Sequence, residues 1–211
     1  MAVLFDRIPR RRALSEIARD FHGRGWMAGT AGNLSAVSSS RPDGFWITAS
    51  GLPKGQLEPD DLILVSTGSN EVLQRFSDKA KPSAETEIHR VIYRLFPQAR
   101  ACFHIHTVDA CLAARRVAAD ARAMALPPLE MIKGLGIWEQ TPEVELPLFD
   151  NLMPVSEIAA RIEQRFGQSP PAVPVLMIRD HGVTVWGESV QEAYNRVEII
   201  EFLMSYLARQ A

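Results

Sequence analysis

The chain has 211 residues, 46% apolar and 23% charged, with a formal net charge of −2. That is the balance of an ordinary globular protein long enough for one substantial core, so residues 1–211 read as a single domain. The near-neutral charge gives no electrostatic reason to expect nucleic acid or an anionic membrane as partner, no apolar run approaches the roughly 20 residues of a membrane span, and the N-terminal stretch lacks the apolar core and cleavage site of a secretion signal.

Leu14, Ile17, Ala18 and Phe21 fall at helical spacing and predict an amphipathic helix closed by Gly23 and Gly25. Arg10-Arg11-Arg12 before it reads as a solvated helix start. Gly29-Thr30-Ala31-Gly32-Asn33-Leu34-Ser35 follows, rich in small residues that let backbone amides approach a ligand. Phe45-Trp46-Ile47-Thr48 predicts a strand running into Ala49-Ser50-Gly51, and Leu62 to Ser66 another, with Gly68-Ser69-Asn70 as a hairpin turn. Ile88, Val91, Ile92 and Leu95 mark a helix with Ser83 as N-cap and Pro97 as its stop.

A strand over 100–106 comes next, then a helix over 108–119. Leu126-Pro127-Pro128 opens a loop carrying Glu130-Met131-Ile132-Lys133-Gly134, and a helix follows over 154–166. Strands over 173–179 and 183–186 flank His181. Ser189, with Glu192 three residues on, predicts a capping box for a last helix whose stripe (Val190, Ala193, Val197, Ile200, Met204, Leu207) suits core and part of a subunit interface. The interleaving predicts a layered α/β domain, and the turn at Asp180-His181-Gly182 makes part of its sheet antiparallel.

The chemistry centres on Cys102-Phe103-His104-Ile105-His106. Residues i and i+2 of a strand share a face, roughly 6.6 Å apart, so His104 and His106 can converge on one ion. His181, at a break between two apolar runs, supplies a third nitrogen. Three histidines leave a tetrahedral Zn²⁺ one open position, as a catalytic zinc requires. Cys102 has the same strand phase; a buried small hydrophobe is its expected role and a thiolate ligand the alternative. The cysteines Cys102 and Cys111 make no disulfide framework and fit a reducing cytoplasm. His22 and His89 lack comparable spacing and read as surface or cap residues.

Three segments suit an anion: Gly32-Asn33, Ser50-Gly51, and Lys81-Pro82-Ser83 at a predicted helix start. Two carboxylates are candidate acid/base groups. Glu85 lies in the first turn of its helix, where dipole complementation is the plain alternative. Glu130 sits in an apolar, Pro-rich loop where partial desolvation would raise its pKa. Spacing alone does not rank them.

Gly32-Asn33-Leu34-Ser35, Ser50-Gly51, Lys81-Pro82-Ser83-Ala84-Glu85, His104-Ile105-His106 and Asp180-His181-Gly182 together resemble the class II aldolase/adducin family, in order, from about residue 10 to 208. Glu130-Met131-Ile132-Lys133-Gly134 and His181-Gly182-Val183-Thr184-Val185-Trp186-Gly187 are similar to its dehydratase branch. The resemblance implies a three-layer α/β/α fold around a mixed, mainly antiparallel sheet, assembled as a homotetramer; Tyr206 and the last helix could reach a neighbouring active site. It implies Zn²⁺ on His104, His106 and His181, and a small phosphorylated ketose as substrate. Asn33, Ser50, Gly51 and Ser83 match the family's phosphate positions. Family aldolases often carry two serines before the glutamate, whereas this chain has Ser83-Ala84-Glu85. The aldolases assign proton handling to the residue matching Glu85, the dehydratases to the one matching Glu130. The expected reaction is elimination of water, with sugar-phosphate aldol cleavage or pentulose-phosphate 4-epimerisation as the alternative. An adducin-like structural role is disfavoured by the three histidines, and a cupin barrel by the helices.

Overall fold

A computed structural model of the chain describes residues 5–210; residues 1–4, part of the N-terminal stretch read above for a secretion signal, and residue 211 lie outside the described residues. Nine strands form the central sheet: β1 (Asn33–Val37), β2 (Gly44–Thr48), β3 (Leu62–Ser66), β4 (Val72–Gln74), β5 (Ala101–Ile105), β6 (Ala123–Ala125), β7 (Glu145–Phe149), β8 (Val175–Ile178) and β9 (Gly182–Gly187). Their order is β4-β3-β2-β1-β5-β9-β8-β7-β6. Neighbours are antiparallel except β7 and β8, which run parallel. The sheet is thus mixed and mainly antiparallel, as the resemblance implied.

Among the described residues five α-helices cover it: α1 (Arg10–Gly23), α2 (Thr86–Leu95), α3 (Val108–Arg115), α4 (Val155–Gln168) and α5 (Val190–Arg209). Period-two alternation sorts strand residues between two apolar layers. In β5, Ala101, Phe103 and Ile105 pack with α1, α3, α5 and the 3-10 helix Glu130–Leu135, whereas Cys102 packs with α2 and α4. Each large side chain buried in either layer contributes about 1.5–3 kcal/mol. The result is three layers, α/β/α. Among the described residues no helix is long and apolar enough to cross a membrane.

Several element ends differ from the sequence reading, each for a local reason. Helix α2 starts at Thr86 with Glu85 in the N-cap position and no side-chain cap. Ser83 caps a turn ahead of it: its Oγ accepts the Glu85 N–H at 3.2 Å, and its carbonyl accepts the Thr86 N–H at 3.1 Å. Helix α3 stops at Arg115, and the carbonyls of Ala114, Ala118 and Ala121 accept from the Arg179 guanidinium instead. Ser189 caps α5 at the Glu192 N–H (3.0 Å), but the Glu192 carboxylate accepts the Glu188 N–H rather than that of Ser189. The Arg10-Arg11-Arg12 start is paired, to Asp6, Asp60 and Glu16.

Candidate metal centre and active site

Register places the centre. Asn33 of β1 and Thr184 of β9 are both Cα partners of His104 on β5, so the three side chains share one face. His104 Nδ1 lies 2.9 Å from Thr184 Oγ1; donating there fixes the tautomer and aims the Nε2 lone pair outward. β5 ends at Ile105, and His106 follows as a single parallel bridge to Met27. The β8–β9 turn, with Asp180 at φ 50°, delivers His181 to the same place.

Two glycines permit the close approach. A Cβ on Gly182 would stand 2.1 Å from the Ile105 carbonyl oxygen, and one on Gly32, at φ +76°, 2.8 Å from that of His104.

Glu85 reaches this cluster from the start of α2. One ligand atom from each of Glu85, His104, His106 and His181 lies within 4.8 Å of the others. His181 Nε2 is 2.8 Å from Glu85 Oε1, and His104 Nε2 is 3.5 Å from Glu85 Oε2. His104 Nε2 and His106 Nε2 approach to 2.9 Å, and His181 Nδ1 is buried without a hydrogen-bond partner. Burial lowers the His104 pKa, and burial with the neighbouring His104 and His181 lowers His106 to about 3. Imidazole nitrogens and a carboxylate oxygen converging this closely are the ligand types that divalent metal ions take. The donor set fits a divalent metal ion.

Burial alone would raise the Glu85 carboxyl, but His104, His181 and the Asn33 amide outweigh it and hold the group below the usual carboxylate range. Asn33 Nδ2 donates to Glu85 Oε2, and Asn33 Oδ1 faces His89 Nε2. The anion segments named above meet here: Ser50 N–H donates to the Lys81 carbonyl at 2.9 Å, Ala49 bridges to Pro82, and Lys54 N–H donates to the Gly29 carbonyl at 3.0 Å. Ser50 and Gly51 are exposed and Ser83 is half-buried.

The structure corrects two readings. Glu130 is not desolvated: it opens the 3-10 helix Glu130–Leu135 with its side chain 85% exposed, 2.9 Å from Lys133 Nζ. The Lys133 ammonium holds its carboxyl below the ordinary value. Glu130 stands outside the Glu85–histidine cluster, although its segment packs by Gly134 against Ile199 of α5. His89 is no surface residue; it is fully buried under the sheet. His22 is exposed, as expected, with Nδ1 3.0 Å from the Met27 carbonyl. Cys102 is a buried thiol raised well above its ordinary pKa by desolvation and stands outside the cluster.

Sequence reasoning missed three buried polar residues beside the centre. Lys54 is 1% exposed, its Nζ donating to the Leu52 carbonyl at 3.3 Å; burial lowers its pKa against the opposing pull of Glu85. Glu201 of α5 accepts from Thr107 Oγ1 at 3.1 Å, and burial pushes it up to about 7. The third is His89, whose signal was present as Glu85, His89 and Tyr93 at successive four-residue steps along one helix face.

A three-layer α/β/α sheet protein with one carboxylate and three imidazoles gathered where β5 and β9 meet is the class that fold and site define. The chain belongs to the class II aldolase and adducin N-terminal domain family, whose profile matches residues 12–207. It is 50% identical over 197 residues to the methylthioribulose-1-phosphate dehydratase of Microcystis aeruginosa, covering 93% of this chain and 94% of that one. The Leptospira biflexa enzyme of the same name is 40% identical over 208 residues, covering 97% of this chain and 99% of its own. Among solved structures, L-fuculose-1-phosphate aldolase from Thermus thermophilus superposes with a TM-score of 0.71 at 24% identity, covering 94% of this chain and 93% of that one. YgbL from Escherichia coli gives 0.74 at 27%, covering 93% and 86%.

Proposed function

We propose that the chain is a Zn²⁺-dependent hydro-lyase removing water from 5-methylthioribulose 1-phosphate to give 5-methylthio-2,3-dioxopentyl phosphate, a step of methionine salvage in the cytoplasm. The convergence of Glu85, His104, His106 and His181 within 4.8 Å carries the metal-dependent part. The two dehydratases aligned over nearly the whole chain support the substrate. The unit is the single domain 1–211, assembled as a homotetramer.

His104, His106 and His181 would hold the ion, which when bound acts as a Lewis acid towards the substrate ketone. Ser50, Gly51 and Ser83 bind the phosphate, with the Nδ2 hydrogen of Asn33 not taken by Glu85. Glu130 removes the C3 proton, and the electron pair of that C–H bond becomes the C2–C3 enolate. The C4–O bond then breaks, the hydroxyl leaves with a proton as water, and the resulting enol becomes the C3 ketone. For this Glu130 must release Lys133. Glu85, ionised and fixed, holds its position beside the histidines throughout.

A second reading, aldol cleavage or 4-epimerisation of a related sugar phosphate, is favoured by one observation: Glu85 is the carboxylate already at the cluster. Turnover of 5-methylthioribulose 1-phosphate by zinc-loaded protein, with products identified by mass, separates the two. Loss of one water with the carbon chain intact is expected. Two carbon fragments would overturn the dehydratase reading and move proton handling to Glu85.

A further inference from the structure

Behind Glu85 a line of buried polar groups runs into the layer between the sheet and α2. Glu85, His89 and Tyr93 occupy one face of the α2 segment, and Asn33 and Ser35, two residues apart on β1, face them. Exposure along the line is 8% for Glu85, 3% for Asn33, 0% for His89 and Ser35, and 6% for Tyr93. The contacts are Glu85 Oε2 with Asn33 Nδ2, Asn33 Oδ1 with His89 Nε2, His89 Nδ1 with Ser35 Oγ at 2.7 Å, and Ser35 Oγ with Tyr93 OH at 2.7 Å.

Chemistry allows one direction for the hydrogens. An ionised carboxylate only accepts, so Asn33 must give it Nδ2, and Oδ1 is left to face His89. Nε2 of His89 therefore carries the hydrogen. Nδ1, the lone-pair nitrogen of a neutral ring, takes the hydroxyl hydrogen of Ser35. Ser35 Oγ in turn accepts from the Tyr93 hydroxyl; its contact with the Cys102 carbonyl, at 3.3 Å, is longer. Every donor points towards Glu85. Burial, reinforced by the nearby His104, lowers His89 to about 3, which agrees with a neutral ring.

We infer that His89 is a positioning residue: its Nε2–H sets the orientation of the Asn33 amide, and the amide sets the orientation of the Glu85 carboxylate at the metal centre. With the hydrogen on Nδ1 instead, the His89 Nε2 lone pair would face the Asn33 carbonyl oxygen. The amide would then turn over and present that oxygen to the carboxylate, pushing Glu85 off the contact that holds Oε1 2.8 Å from His181. The core thus supplies, through Asn33, one of the contacts that fix the Glu85 carboxylate, and His181 on the β8–β9 turn supplies another. The consequence for turnover rests on the function proposed above; the hydrogen-bond direction does not.

The test pairs two amides of different reach. His89→Gln keeps an N–H near the Nε2 position, and His89→Asn keeps a polar group only near Nδ1. His89→Asn is expected to lose about 10- to 100-fold in kcat with KM within about twofold, the range that follows loss of a hydrogen-bond partner in the outer shell of a metal site. His89→Gln is expected to stay within about threefold of wild type, with equal melting temperatures for the two variants. Equal losses of kcat in both would overturn the inference. Independently, ¹⁵N-edited NMR of the wild-type zinc-loaded protein at pH 8 should show His89 as the neutral Nε2–H tautomer, with a slowly exchanging ring N–H. An Nδ1–H tautomer would overturn it even if both variants fail to fold. Should wild type not turn over the substrate at all, the proposed function fails, and the NMR spectrum still decides the direction of the chain.

Discussion

Glu85 and Glu130 stand at the start of two short helical segments, and almost everything around them differs. Glu85 is 8% exposed, shares its oxygens between His181 and Asn33, and is backed by a buried polar line. The Glu130 side chain is 85% exposed and has one partner, Lys133, three residues along its own segment. Both carboxyls are held below their ordinary range, Glu85 by imidazoles and an amide that overcome desolvation, Glu130 by a single ammonium in water. The first is a carboxylate built into the core; the second is an exposed one held by an ion pair with Lys133. That contrast suits a division of labour in which a fixed group maintains the metal centre and an exposed one meets the substrate.

The largest effect expected is loss of the centre itself. His106→Ala should bind less than one zinc per chain and fall about a thousandfold in turnover, read by metal analysis and steady-state kinetics, since the chemistry would lose its Lewis acid. A fully active, zinc-replete His106→Ala protein would remove the premise of the comparison.

Next come the two carboxylates. Glu130→Gln is expected to lose about 10²- to 10⁴-fold in kcat, the usual contribution of a positioned general base, while zinc content and melting temperature stay at wild type. Glu85→Gln should disturb zinc content and stability as well as rate. If Glu130→Gln turns over normally, the exposed carboxylate has no part in the chemistry.

A structural test follows. Gly182→Ala would press a methyl against the Ile105 carbonyl, 2.1 Å from the ideal Cβ. Because the obstacle is backbone, a destabilisation of about 2–4 kcal/mol is expected in denaturant melts, with weaker zinc binding.

The smallest effect concerns pH. The Glu201 carboxyl, at about 7 in the fold against an ordinary 4.5, binds a proton more tightly folded than unfolded. Stability from this group is therefore present below pH 4.5 and lost as pH rises through 7. Glu201→Gln should flatten that decline, by an amount of the order of 2 kcal/mol between pH 5 and 8. An unchanged pH profile of stability would contradict it.

The fold was largely legible because period-two and helical apolar patterns mark buried faces directly. The paired histidines were legible for the same reason, as polar residues in a strand otherwise committed to the core. The environment of a carboxylate was not. Glu130 was expected to be desolvated because Pro127, Pro128 and Met131 surround it in sequence, yet apolar neighbours in sequence do not bury a side chain that points outward, and Met131 itself is 37% exposed. His89 was misread for the converse reason. Its partners Asn33 and Ser35 lie more than fifty residues away in the chain, so only the packing of α2 on β1 reveals them. Lys54 left no local pattern either; its burial comes from tertiary packing alone.

X-ray absorption at the zinc edge of the zinc-loaded protein tests the central claim most directly. The account predicts a shell of nitrogen and oxygen at about 2.0–2.1 Å with the outer-shell signature of three imidazoles. Sulfur scattering at about 2.3 Å, which would bring in Cys102 or Cys111, or the absence of imidazole scattering, would contradict it.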